Sequence, residues 1–231
     1  MIELHLWILS KFDVCACCSQ YVYDSMPKKL HNLLVVRNGV ESVEFIEKTQ
    51  TITRESLHIP EDGIVFVYVG GLISRKNIVW LAESFKKAHG IKDFLIIIGD
   101  GPEIKKLNLY MDSNIKITGF VSNPSRYLNI ADVYVSASLS EGLPLSSLEA
   151  LTSGLLLLLS DNLSHEEIFD LCRDYYIGEL FHNNNTNSFS EAYNKIKIAL
   201  LGHDKNMTSG IAKNLFGASK MVLKYEDIYS S

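Results

Sequence analysis

The sequence predicts an α/β protein in which a parallel sheet is covered by helices on both faces. Three observations predict it. Short continuous apolar runs recur at 64–69 (IVFVYV), 94–98 (FLIII), 132–137 (DVYVSA) and 155–159 (LLLLL). None alternates polar with apolar residues, so each reads as a strand buried on both faces. Segments with helical spacing lie between the runs, and a strand–helix–strand order selects a parallel sheet with crossover helices. The segments following the runs are rich in Gly, Pro and polar residues, and ligands of such sheets bind beyond the carboxyl ends of the strands.

The elements follow in order. IELHLWILSKFDVCACCSQYVYDSM (2–26) reads as a helix, a short strand and a second helix beginning near Ser19. Its CACC cluster suits a buried strand of small apolar side chains carrying reduced thiols; with no second ligand cluster, it predicts no metal site. LLVVRNGVESVEF (33–45) reads as a strand and turn, and EKTQTITRESLHIPEDG (47–63) as a linker with a short helix. The helix at 77–90 sets Ile78, Leu81, Ala82 and Phe85 on one face and ends at Gly90. Helices at 102–111, 124–130 and 144–154 each begin with proline, which is favoured at the first helical position, and the last stops at Gly154. MVLKYEDIY (221–229) reads as a closing helix. Its stripe of Met221, Val222, Tyr225 and Ile228 calls for a partner surface.

Composition narrows the classes. The chain has 231 residues, of which 47% are hydrophobic, and a net charge of -5. That supports one large or two small domains with a real core. The acidic balance predicts no nucleic-acid partner. No apolar run approaches the ~20 residues of a membrane span. The N-terminus lacks a basic segment and cleavage site of signal-peptide type. The expected location is the cytoplasm, with peripheral contact at the inner face of a membrane left open.

Four strand ends carry the candidate site. GGLISRKN (70–77) offers two glycines for close backbone approach, then Arg75 and Lys76 at a helix start; this combination suits an anion. GDGP (99–102) and TGFVSNP (118–124) follow. SEGLPLSSLEA (140–150) sets Glu141 and Glu149 at the two ends of a small, Pro-containing turn. Turns alone also call for Gly and Pro, so the weight rests on the four loops in this order.

From Ile64 to Phe169 that order resembles the C-terminal, donor-binding half of retaining GT-B glycosyltransferases of the family-4 type, a Rossmann-like fold. VGGLISRKN, IIGDGP, ITGFV, YLNIADVYVSASLSEGLPLSSLEALTSG and SDNLSHEEIF carry the resemblance. Its most specific part is the pair of glutamates in EGLPLSSLE, followed by Ala150 and Gly154. The resemblance implies that Lys76 and Arg75 contact a donor pyrophosphate. It implies that the N–H groups of Leu145 and Ser146 hold a phosphate, which a helix start favours on physical grounds too. It places Glu141 beside the transferred sugar, Glu149 on the ribose hydroxyls and the Val121 backbone on the base, with Gly70, Gly71 and Gly99 in the same donor-binding set. A carboxylate accepts two hydroxyl hydrogen bonds, which suits a vicinal diol.

The implied chemistry is transfer of a hexose from a nucleotide-diphosphate sugar to a glycan or lipid-linked acceptor hydroxyl, with retention and without cofactor or metal, in polysaccharide or glycoconjugate synthesis. Two departures stand out. Gly71 occupies the place of a usual arginine, and leucines follow Gly154 where proline and valine are common. At Glu167 two readings stay open. The resemblance implies a helix start near the donor sugar, while Ser164 and Glu167 fit a capping box. His165 with Glu166 and Glu167 is discounted as an acid–base cluster, and HNNNTNS (182–188) reads as a polar loop.

The resemblance also divides the chain. Residues 1–45 would be a remnant of an N-terminal acceptor domain with its last strand, and 46–63 a linker with a short helix. Residues 64–215 would be the nucleotide-sugar donor-binding domain, and 216–231 a C-terminal crossover-type helix. About 45 residues cannot rebuild a Rossmann-like domain of ordinary size, so a separately encoded N-terminal domain is an implied partner. The alternative is a truncated or non-catalytic nucleotide-sugar-binding module. An NAD-dependent oxidoreductase is disfavoured because GGLISR is not G-x-G-x-x-G; an epimerase of the same architecture would be separated only by its product.

Overall fold

A computed structural model describes residues 2–28, 30–41 and 52–230. The N-terminal unit comprises α1 (Ile2–Leu9), β1 (Cys15–Cys17), α2 (Gln20–Ser25) and β2 (Leu33–Val35), with β1 and β2 paired in parallel. Ser19 starts α2 because its hydroxyl accepts the Val22 N–H, which would otherwise lack an intrahelical partner. Cys17 is buried and Cys15 and Cys18 are half-buried, all as free thiols, so the CACC strand is only partly interior. Of the linker expected over 46–63, residues 46–51 lie outside the described residues, as does the 42–45 end of the expected strand and turn. The short helix is a 3-10 turn at Glu55–Leu57.

The main sheet contains β3 (Ile64–Val69), β4 (Asp93–Ile98), β5 (Ile115–Gly119), β6 (Val133–Ser136), β7 (Leu156–Ser160) and β8 (Gly178–Phe181). All pairs are parallel, in the order β5-β4-β3-β6-β7-β8. The connecting helices are α3 (Ile78–Ala88), α4 (Ile104–Leu107), α5 (Ser125–Leu128), α6 (Leu145–Thr152) and α7 (Leu163–Leu171). After β8 come α8 (Thr186–Ala199), α9 (Lys205–Phe216) and α10 (Ala218–Ser230). Helices cover both faces and divide the interior into two cores. Val65 and Val67 of β3 and Leu157 and Leu159 of β7 enter one; Phe66, Tyr68, Leu156 and Leu158 enter the other. This explains the unbroken apolar runs: in a sheet buried twice, neither parity of side chains meets water, and each buried side chain contributes about 1.5–3 kcal/mol.

The helix boundaries correct the sequence reading in detail. Pro124 and Pro144 occupy the N-cap positions of α5 and α6 rather than the first helical position. Pro102 lies outside α4, whose N-cap is Glu103 and which is a single turn followed by a 3-10 turn at Asn108–Tyr110. His89, not Gly90, caps α3. Gly154 does stop α6: its φ is +83°, and a Cβ there would lie 2.4 Å from the Lys205 carbonyl oxygen. At the closing helix, Met221 finds a partner in the N-terminal unit, its sulfur accepting the Gly39 N–H at 3.4 Å. Val222 stays exposed. Val40 bridges to Gly217 beside it. No helix among the described residues is long and apolar enough to cross a membrane.

The strand order reverses between β3 and β6. In a doubly wound sheet the loops leaving two such strands diverge to opposite faces and leave a crevice at their carboxyl ends. The segment after β3 carries Arg75 and Lys76, and the loop after β6 carries Glu141 and leads into α6 with Glu149.

Candidate functional site

The two loops at the crevice are tied together by backbone. The Leu139 N–H donates to the Arg75 carbonyl at 2.9 Å, and the Leu72 N–H donates to the Asp100 carbonyl at 2.9 Å. Gly99 permits the close approach of the loops after β3 and β4: a Cβ there would fall 1.9 Å from the Gly70 carbonyl oxygen. Gly70, Gly71, Gly99 and Val121 all line one cleft of ≈ 360 Å³, with Phe120 and Pro124 at its side. It sits at the carboxyl ends of β3, β4 and β5.

Lys76 lies in a 3-10 turn, Ser74–Lys76, just before α3. Its ammonium donates to the Glu141 carboxylate, and Arg75 lies 3.2 Å from the other carboxylate oxygen. Arg75 also donates to the Ser140 carbonyl. Glu141 is 8% exposed, Lys76 18% and Arg75 49%. Burial raises the Glu141 carboxyl, but hydrogen bonds from Lys76, Ser138 and Arg75 outweigh it and hold the group below its ordinary value. The two cations, expected on a phosphate, and the carboxylate, expected beside a sugar, thus form one cluster.

The loop carrying Glu141 is pinned from several sides. The Ser138 carbonyl accepts from Ser160 Oγ at 2.7 Å, Asn162 Nδ2 at 2.8 Å and Asn183 Nδ2 at 3.3 Å. The Glu141 carbonyl accepts from Ser164 Oγ at 2.6 Å. Asn38 of the N-terminal unit donates to the Leu143 carbonyl at 2.8 Å.

At the start of α6 the Pro144 N-cap has no side-chain acceptor to offer. The Leu145 and Ser146 N–H groups take no acceptor among the described residues. The Ser146 hydroxyl is 2.8 Å from the Tyr134 hydroxyl, whose ionisation burial suppresses. One turn on, the Glu149 carboxylate has no donor among the described residues, and burial raises it. The sequence-predicted residues therefore fall into three adjoining groups at the strand ends. They are the apolar cleft, the Lys76–Arg75–Glu141 cluster, and the α6 start with Glu149.

At Glu167 the capping-box reading fails. Asn162, not Ser164, caps α7, accepting the Ser164 and His165 N–H groups, so the capping box does not form. The Glu167 carboxylate accepts the Gln20 N–H at 2.9 Å, the Tyr21 N–H at 3.0 Å and Arg37 Nε at 2.9 Å. It fastens the N-terminal unit to the site-bearing half. His165 is fully buried, and its Nδ1 lies 2.8 Å from the Ser160 carbonyl oxygen. Burial pulls its pKa down to about 4, so at neutral pH it is an uncharged packing group. Among the described residues no group of three or more His, Cys, Asp or Glu side chains could hold a metal ion.

The profile of the family described as Glycosyl transferases group 1 matches residues 49–206. The chain is 26% identical over 205 residues to the Escherichia coli O-antigen biosynthesis glycosyltransferase WclY, covering 85% of this chain and 55% of that protein. It is 29% identical over 228 residues to the E. coli UDP-Gal:alpha-D-GlcNAc-diphosphoundecaprenol alpha-1,3-galactosyltransferase, covering 92% of this chain and 56% of the enzyme. The chain thus spans a little over half the length of these curated relatives. Among solved structures, Anabaena HepE in complex with UDP and glucose superposes with a TM-score of 0.80 at 14% identity, over 99% of this chain and 66% of that one.

Proposed function

The chain belongs to the group 1 glycosyl transferases, and from that premise we propose that it is the donor-binding domain of a retaining enzyme. It would transfer a hexose from a nucleotide-diphosphate sugar to a hydroxyl of a glycan or lipid-linked acceptor, in polysaccharide or glycoconjugate synthesis. The observation that carries this reading is the start of α6. Two N–H groups with no acceptor among the described residues stand there, one turn from the Glu149 carboxylate, which has no donor among them. The N–H groups suit a phosphate and the carboxylate a diol, which are the two polar parts of a nucleoside diphosphate.

The rest of the site takes its roles from that placement. The ≈ 360 Å³ cleft receives the base, with the Val121 backbone at its edge. Lys76 and Arg75 neutralise the leaving diphosphate, whose charge grows as the glycosidic bond breaks; fixed cations and N–H dipoles act on such charge electrostatically. This scheme needs neither a cofactor nor a metal. Uridine diphosphate hexoses are the first donors to test, because the galactosyltransferase relative is named for UDP-Gal and the HepE complex holds UDP and glucose. The acceptor half of the activity belongs to a domain beyond these residues, either separately encoded or in a longer chain. The protein would act in the cytoplasm, with peripheral contact at the inner face of the membrane where lipid-linked acceptors lie.

Thermal-shift titration with UDP, GDP, ADP and their sugars tests the reading. A ligand at 100 times its dissociation constant stabilises by about 2.7 kcal/mol. A shift with one nucleotide supports the donor site, and product analysis for anomeric configuration then tests retention. A chain that melts cooperatively with no shift from any nucleotide refutes it.

A further inference from the structure

We propose that Glu141 is a resident competitor for Lys76 and Arg75, an internal anion that a diphosphate must displace in order to bind. The inference deepens the functional reading above and rests on it. Its basis is the contact geometry. One carboxylate, 8% exposed, engages both cations, one on each oxygen. The loop that presents it is fixed by Ser164 on the Glu141 carbonyl and Asn38 on the Leu143 carbonyl, so the side chain can move while its backbone stays. The cation pair is thus already half neutralised by a protein anion that imitates one phosphate.

The charges decide what can displace it. Lys76, Arg75 and Glu141 sum to +1. A nucleoside brings no charge and leaves the triad intact. A diphosphate brings a second and third anionic group to two cations and the open N–H groups of α6. Retaining Glu141 would then set like charges against one another in a partly buried site, where repulsion is strong. Glu141 leaves the cations, and its freed carboxylate turns to the nearest donors, the hydroxyls of the sugar attached to the diphosphate. The exchange couples loading of the phosphate subsite to engagement of the sugar. It also makes every diphosphate break an ion pair before it binds.

The test is calorimetric titration of the wild type, Glu141→Gln, Lys76→Gln and the double variant with UDP, GDP, ADP and the matching nucleosides, at constant ionic strength. Glu141→Gln is expected to bind the preferred diphosphate about 10-fold more tightly and the nucleoside unchanged, since the cations then have no anionic competitor. Lys76→Gln is expected to weaken diphosphate binding more in the Glu141→Gln background than in the wild type. If Glu141→Gln does not fold, Glu141→Asp withdraws the carboxylate by one methylene and should tighten binding by a smaller factor. A wild type that binds diphosphate while the single Glu141 variants bind it equally or more weakly overturns the inference and leaves the donor-site reading intact. No diphosphate binding by any form overturns both.

Discussion

Replacing Glu149 with glutamine keeps the shape of the side chain and removes its charge. In this protein that charge is partly withdrawn from water and has no donor among the described residues, so burial alone raises the carboxyl. The consequence for stability has a definite sign. The unfolded carboxyl titrates near 4.5 and the folded one higher. The penalty is absent below the unfolded value, grows as pH rises through the window above it, and is complete once the folded group has ionised. Glu149→Gln should therefore stabilise the ligand-free chain at pH 7, by about 0.5–1 kcal/mol as for other removals of unfavourable charge. That is about 2–4 °C per kcal/mol for a chain of this size. The gain should vanish below pH 4.5. Binding should move the other way. A hydrogen bond to a charged acceptor contributes about 1.5–3 kcal/mol, so loss of the charge should weaken the preferred nucleoside diphosphate by about 10–100-fold. Melting curves at pH 7 and pH 4, with calorimetric titration of the nucleotide, measure both effects. A variant that melts lower and binds equally well would make Glu149 a structural helix residue and refute the diol assignment.

Two further outcomes follow from the geometry. Gly99→Ala would place a Cβ 1.9 Å from the Gly70 oxygen, whereas Gly71→Ala meets nothing within 4 Å. The first should cost about 2–4 kcal/mol and abolish nucleotide binding, and the second should be near neutral; equal denaturant midpoints would contradict the close packing of these loops. His165, with its pKa pulled down to about 4, contributes stability that is full above its ordinary value of 6.5 and is lost as pH falls toward 4. At about 1.4 kcal/mol per unit the loss is about 3 kcal/mol. Denaturant titrations of wild type and His165→Gln across that window should differ in slope, and identical slopes would show that His165 is accessible to protons in the folded state.

The four central strands, β3, β4, β6 and β7, were legible because burial on both faces writes an uninterrupted apolar run, which the half-buried edge strand β5 (IKITG) lacks. β8 was not: Gly178–Phe181 is buried at its ends and half-exposed between them, at a sheet edge where GELF carries no run. The helices after it, α8 and α9, drew no assignment for want of family motifs there. The prolines marked helix starts but could not distinguish the N-cap from the first helical position, since both tolerate a missing N–H. At the site, the residue types and spacing pointed to Lys76, Arg75, Glu141 and Glu149. They could not show that three of these four contact one another, because that depends on how far two loops on neighbouring strands lean together. Glu167 left no local signal at all. Its partners at Gln20 and Arg37 are distant in the chain, and Ser164 offered a nearer, false explanation.

That long-range clamp sets a schedule for biosynthesis. Glu167 lies 147 residues beyond Gln20. At about 5–20 residues per second of translation, the donors at Gln20, Tyr21 and Arg37 wait about 7–30 s for their acceptor to be made. Over that interval β1 and β2 can pair, but the N-terminal unit has no α7 to rest on, and Trp7 and Phe12, exposed even in the finished fold, stand beside an undocked surface. A nascent chain that ends before residue 167 holds all three donors and nothing to receive them. The segment made early is thus among the last to be secured, and the ribosome, rather than the local sequence, decides when.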